Sequence, residues 1–497
     1  MKAPQRLLAA LTILAIPVVL SAQEPKPANW TTRHTIQVGG QAVEYDATVG
    51  SIILRDTAEK AIGELFFTSY ARTNAPNRSA RPIVFSYNGG PGSASFWLHM
   101  GIMGPRRVRT PLVGQQAPPP YEIVDNAFTL LDVADIVMID PIGTGFSKPV
   151  GAGRGADFWG LDEDAASLAQ FIRRYLSKTQ RWNSPRYLLG ESYGTTRSAV
   201  LAGHLQRANI DLNGIVLVSS VLQFNTLQFA PGDDLPYIVN FPSYAVTSEY
   251  LGKLPGGKRS DLKAFMKEVE DWSLTEYATA LLAAGTLDPA RRRQVIQKMH
   301  QYTGLDPVFL DRSDLRVTAP QYEAELLRDK GLVVGRLDAR FTGPAGDVLS
   351  PNPSHDPQST ALSSAYTSAF NAYLRTELGY DGEREYVPSG ATPGWRWARS
   401  GPGVSFGFAS PNVAPDLAMA IRRNPKLEVL LINGIYDLAT PYFAASWTMD
   451  RMGLPPDLRD NITREDFPAG HMMYVEEPLL KQWREVLTRF IARTSKR

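Results

Sequence analysis

Cysteine is absent from the 497-residue chain. That excludes disulfides, thiolate-ligated metals, a cysteine nucleophile and a lipidated N-terminal cysteine. A chain of this length can do without disulfides because a large core buries much of its surface. An excess of one charge is also missing: 52 basic and 50 acidic residues are interspersed and leave a formal net charge of +2. No basic block marks a nucleic-acid partner. Internal repeats and long low-complexity tracts are lacking as well. Histidine is scarce, with six residues (His34, His99, His204, His300, His355 and His471), so imidazole chemistry has few places to sit.

What is present begins with MKAPQRLLAALTILAIPVVLSAQ. Lys2 and Arg6 precede an apolar run over 7–20, and the small residues Ser21 and Ala22 follow. This is the order of a cleaved export signal, and it predicts a protein that is periplasmic or extracellular. The run is shorter than the roughly 20 apolar residues of a spanning helix, and no later segment is long and apolar enough to be one.

Beyond the signal, HTIQVGGQAVEYDATVGSIIL alternates about Gly39-Gly40 and predicts an antiparallel hairpin. Runs at 63–70, 82–87, 135–140, 186–190 and 214–220 read as strands, with helical patterns at 161–176 and 195–205. That alternation implies a mostly parallel, buried sheet with helices on both faces. From 222 to 403 the rhythm changes to helix-like pieces at 261–272, 275–284, 289–301 and 360–377, separated by Pro, Gly and Asp clusters. It then resumes with a helix at 414–423, a strand at 427–433 and helices at 442–452 and 477–492. The predicted organisation is a signal peptide (1–22), a doubly wound α/β core in two parts (23–221 and 404–497), and a mainly helical cap insertion (222–403).

Two G-x-S-x-G patterns occur, at 190–194 and 403–407. A nucleophile elbow needs a strand before the serine, a helix after it, and small flanking residues at the sharp turn. Ser192 has all of these. Ser405 sits among prolines and glycines that prevent regular structure on either side, and it reads as loop. A serine hydroxyl needs a base held by an acid, in the chain order serine, acid, histidine for this kind of fold. His471 falls after the last strand-like run and before the terminal helix. Asp437 lies just past the strand at 427–433, whereas Asp450 falls in a helix pattern and Asp466 is too close in sequence to His471. The predicted triad is therefore Ser192, Asp437 and His471, at the C-terminal ends of strands.

The other strand-to-loop signal is IVFSYNGGPGSAS. No Lys-Ser/Thr follows its glycines, so a phosphate loop is excluded. Close-approaching backbone suits an oxyanion hole, with the N–H groups of Gly90 and Tyr193 as its predicted donors.

Asn88-Gly89-Gly90-Pro91-Gly92, the segment DPIGTGFS at 140–147, Gly190-Glu191-Ser192-Tyr193-Gly194, Asp437 and Gly470-His471-Met472 together resemble the serine carboxypeptidase family of α/β-hydrolases. The resemblance implies a cap where the insertion lies. It also implies that Asn88 and Glu191 hold the substrate's C-terminal carboxylate, with Glu191 protonated or sharing a proton. Three positions depart from that pattern: Ser86 stands for a tryptophan, Ser93 for a cysteine, and Ile102 for a second acidic residue. The reading is an exported serine-type carboxypeptidase acting on peptide or protein C-termini, with no metal or cofactor. An esterase or acyltransferase on the same scaffold is the alternative, which Ile102 favours and the Asn88–Glu191 pair opposes. A non-enzymatic binding protein on this fold would be expected to lack a triad member, and none is missing.

Overall fold

Strands whose side chains alternate between two apolar layers build the centre of the molecule. The computed structural model describes residues 25–398 and 410–495; the predicted signal peptide and Ser405 lie outside them. Strands β1 (Asn29–Val38), β2 (Gln41–Arg55) and β3 (Ala61–Arg72) form an antiparallel edge, with β1 and β2 joined as the predicted hairpin. Next come β4 (Ile83–Tyr87), β5 (Asp135–Ile139), β6 (Arg186–Glu191), β7 (Gly214–Val218), β8 (Glu428–Gly434) and β9 (Ile462–Phe467), which are mutually parallel in the spatial order β5-β4-β6-β7-β8-β9. β3 pairs antiparallel with β5 and so joins the two halves.

The period of two in β4 shows why the sheet is two-sided. Ile83, Phe85 and Tyr87 face a layer that includes Leu168 and Phe171 of α1 (Leu161–Thr179), Val200 and Leu201 of α2 (Tyr193–Arg207) and Leu417 of a helix at Ala414–Arg423. Val84 faces the opposite layer, which holds Trp483, Leu487 and Phe490 of the terminal helix (Glu477–Thr494). Covering both faces of a parallel sheet is what its continuous apolar strands require.

Between β7 and β8 lie α3 (Leu235–Tyr250), α4 (Leu262–Trp272), α5 (Pro289–Thr303) and α6 (Pro357–Thr376), with shorter helices and an antiparallel pair, Leu332–Val334 and Thr342–Pro344. The sequence patterns missed α3 because Pro242 and several β-branched and aromatic residues weaken its propensity. Its residues from Pro236 to Glu249 are buried in the structure, and tertiary packing overrides propensity. They also missed β9, an edge strand whose ITREDF sequence is half charged. Two segments of this stretch lie on the core: residues 335–341 against the loop after β8, and residues 387–390 against the glycine-rich loop, where Gly390 N–H donates to Gly92 O at 2.7 Å.

Candidate active site

Ser192 occupies the turn between β6 and α2 with φ 60° and ψ −129°, a conformation that L-residues rarely adopt. The flanking residues are small because the chain crowds itself here. A Cβ on Gly190 would fall 2.2 Å from Gly194 O, and one on Gly89 would fall 2.5 Å from Tyr193 N. The glycine-rich loop after β4 therefore sits directly against the elbow. Tyr193 opens α2, so its N–H has no partner within the helix. Its side chain turns inward, where the hydroxyl donates to Asp164 at 3.2 Å beside a buried Arg197–Asp164 ion pair of 2.7 Å. Arg197 also donates to Asn88 O at 2.6 Å, so one buried cation fixes both the elbow helix and the loop.

The C-terminal end of β7 ties the serine turn to the histidine loop. Ser192 N–H donates to Val218 O at 2.9 Å, and the next residue, Ser219, donates its Oγ hydrogen to His471 O at 2.7 Å. Asp437, three residues past β8, accepts four hydrogen bonds. Its Oδ1 takes the N–H groups of Ala439 (2.7 Å) and Thr440 (2.9 Å), and its Oδ2 takes Thr440 Oγ1 and His471 Nδ1, each at 2.7 Å. Burial alone would push this carboxyl up. The His471 charge and hydrogen bond, with the Thr440 bonds, outweigh burial and hold it below its ordinary range. Burial likewise works against a charge on His471, but Asp437 and then Glu191 raise it above its usual value. An ionised Asp437 only accepts, so Nδ1 carries the proton and, in the neutral ring, Nε2 keeps its lone pair.

Glu191 precedes the serine at the end of β6 and is buried. Asn88 Nδ2 donates to its Oε1 at 2.7 Å, while Asn88 Oδ1 accepts Leu98 N–H at 3.1 Å. Burial pushes the Glu191 carboxyl up to about 7, against the opposing pulls of His471, Tyr474 and Asn88. The predicted residues Asn88, Gly90, Glu191, Ser192, Tyr193, Asp437 and His471 thus come from three loops and a helix start at one end of the parallel strands. The other histidines lie elsewhere; His99, for instance, is buried against Tyr70, with burial lowering its pKa to about 3. A broad surface groove of about 790 Å³, lined by Lys26, Arg173, Arg174, Lys178 and Trp182 among others, contains none of the triad residues.

Sequence reasoning missed the supports. Thr440 and Ser219 are two of them. A third is a strap at 336–340, where Leu337 O accepts His471 N–H (2.7 Å), Arg336 O accepts Leu438 N–H (3.0 Å) and Asp338 Oδ2 accepts Gly470 N–H (3.2 Å). Arg340 pairs with Asp338 at 2.6 Å and donates to Pro468 O at 2.8 Å. Only Thr440 had a sequence signal: an Asp followed by a Thr three residues on is a common side-chain-capped turn.

Residues 53–228 match the family described as serine carboxypeptidase. That match covers about a third of the chain. It contains Asn88, Gly90, Glu191, Ser192 and Tyr193; Asp437 and His471 lie beyond it. Among solved structures, the chain is similar to Kex1(delta)p, a prohormone-processing carboxypeptidase from Saccharomyces cerevisiae. The identity is 15% and the TM-score 0.55, over 90% of this chain and 91% of that one. A proline iminopeptidase from Mycobacterium smegmatis matches at 13% identity and TM-score 0.38 (93% and 99% covered). An acetylester hydrolase from Corynebacterium glutamicum matches at 14% identity and TM-score 0.36 (94% and 96% covered). No curated protein sequence matches the chain. The structural likeness speaks for the α/β-hydrolase fold alone. The family match over residues 53–228 supports a hydrolase of the serine carboxypeptidase type.

Proposed function

We propose that the protein is an exported carboxypeptidase that removes C-terminal residues from peptides through an acyl-enzyme on Ser192. The observation that carries this reading is the buried Asp437–His471 pair, 2.7 Å apart, on loops tied to the strand end that also holds the Ser192 turn. In the reaction, His471 Nε2 takes the Ser192 proton as Oγ attacks the scissile carbonyl. It then returns the proton to the leaving amine. Asp437 keeps the imidazole in the tautomer that leaves Nε2 basic and stabilises its charged form. The N–H groups of Gly90 and Tyr193 receive the developing oxyanion, and water hydrolyses the ester. Asn88 and Glu191 bind the terminal carboxylate. Export rests on the charge, apolar and small-residue order of residues 2–22. Among the described residues, no helix is long and apolar enough to cross a membrane.

Blocked dipeptides with free and amidated C-termini, assayed beside simple esters, test the substrate class. A carboxypeptidase turns over the free acid with the highest kcat/KM. Equal rates on acid and amide, with esters far ahead, would transfer the assignment to an esterase.

A further inference from the structure

Ile102, where the family pattern implies a second carboxyl, packs in an apolar layer and offers no polar atom. The residue before it is glycine. A Cβ on Gly101 would lie 2.2 Å from the Tyr474 ring, so that ring presses against the backbone beside Ile102. Tyr474 is three residues past His471, in the turn Met473–Val475. Its hydroxyl is close enough to Glu191 and Asn88 to bear on their electrostatics, yet it closes no well-aligned hydrogen bond. Tyr366 reaches the same place from α6, with its ring 4.7 Å from that of Trp97 and its hydroxyl in the field of Glu191. Glu191 Oε2, the Tyr474 hydroxyl and the Tyr366 hydroxyl are all buried; the Tyr474 hydroxyl lies beside Glu191 and Asn88 without good hydrogen-bond geometry to either, and the Tyr366 hydroxyl has no partner. Leaving one buried polar group unmade costs about 1–3 kcal/mol, so spare polar atoms on Glu191 and on two phenols of the same buried layer suit a polar ligand.

We propose that the hydroxyls of Tyr474 and Tyr366 act with Asn88 and Glu191 to bind the substrate's terminal carboxylate, in place of the second carboxyl absent at Ile102. This rests on the carboxypeptidase reading and adds to it two specificity-determining residues. A carboxylate needs donors, and two phenols and an amide supply them without the like-charge conflict of paired acids. Burial drives both phenols further from ionisation, so they remain donors well above neutral pH. The charged groups around the pocket are Glu191, His471 and Asp437, with Arg107 acting on Tyr366 from the short strand Arg106–Val108. Recognition of free C-termini should therefore persist above the range where Glu191 loses its proton.

The test is the ratio of kcat/KM for a matched free-acid and amide peptide in wild type, Tyr474→Phe and Tyr366→Phe. A hydrogen bond to a charged group is worth about tenfold or more, so each substitution should lower the ratio by about that factor. A merely structural role would lower both substrates alike and leave the ratio unchanged, which would overturn the proposal. A wild-type ratio near unity would instead defeat the carboxypeptidase reading itself. Wild type assayed well above neutral pH, where Glu191 is ionised and cannot donate, is the independent check should either Phe variant fail to fold. It should keep a clear preference for the acid, and complete loss would assign recognition to Glu191 alone and overturn the role of the phenols.

Discussion

Asp437 Oδ2 stands 2.7 Å from His471 Nδ1, inside a turn whose other donors already satisfy the rest of that carboxylate. The acid has no freedom to rotate away, so the imidazole is held in one tautomer. Asp437→Asn presents an amide that can donate to Nδ1 and stabilise the wrong tautomer. The expected loss in kcat is on the order of 10³–10⁴, with KM little changed. Thr440→Val, which removes one of the four bonds, should cost about tenfold. A steady-state comparison of both variants checks the order.

Backbone strain at Ser192 gives a stability prediction that is independent of chemistry. At φ 60° and ψ −129°, an L-residue costs about 1–3 kcal/mol that glycine largely escapes. Ser192→Gly should therefore unfold at higher denaturant concentration than Ser192→Ala, although both are inactive. Equal midpoints would mean the elbow is relaxed.

The raised Glu191 carboxyl, at about 7, sets a pH dependence for both binding and stability. Below that value the protonated carboxyl can donate to a substrate carboxylate; above it, two negative charges face each other. KM for free-acid peptides should rise through about 7 and KM for amides should not. Because the folded-state value lies above the ordinary 4.5, this group's contribution to stability is fully present at low pH and is lost as pH rises through about 7. Glu191→Gln should flatten the KM profile and narrow the fall in melting temperature between acid and alkaline buffer.

The Asp338–Arg340 pair carries the strap that holds the histidine loop, and both side chains are buried. Arg340→Met leaves the Asp338 charge without its cation, which for a buried pair costs about 3–5 kcal/mol. It also frees Pro468 O and Glu476 from their Arg340 donor. The variant should melt lower and react more slowly with a fluorophosphonate at Ser192. Unchanged labelling by a folded variant would make the strap a bystander.

The core and the placement of the candidate site residues were legible because their signals are local or ordered: period-two strands, a glycine-bracketed serine after a strand, and one histidine placed after the last predicted strand. Asp437 was reachable by elimination along the chain. The supports were not legible, since Ser219, Leu337 and Asp338 act through contacts that join positions more than a hundred residues apart. Helix α3 was hidden by residues that disfavour helix in isolation and are stabilised only by burial. The phenols were hidden for a similar reason, because Tyr474 and Tyr366 share a buried layer only when α6 packs on the core.

Rapid-quench mass spectrometry with an N-blocked dipeptide bearing a free carboxyl tests the central claim most directly. It reads the released amino acid and the enzyme's mass in the same sample. The expected result is a burst of the C-terminal amino acid together with the blocked acyl group on the peptide containing Ser192, both absent in Ser192→Ala. Amino-acid release without acylation of Ser192, or an acyl group carried by another residue, would contradict it.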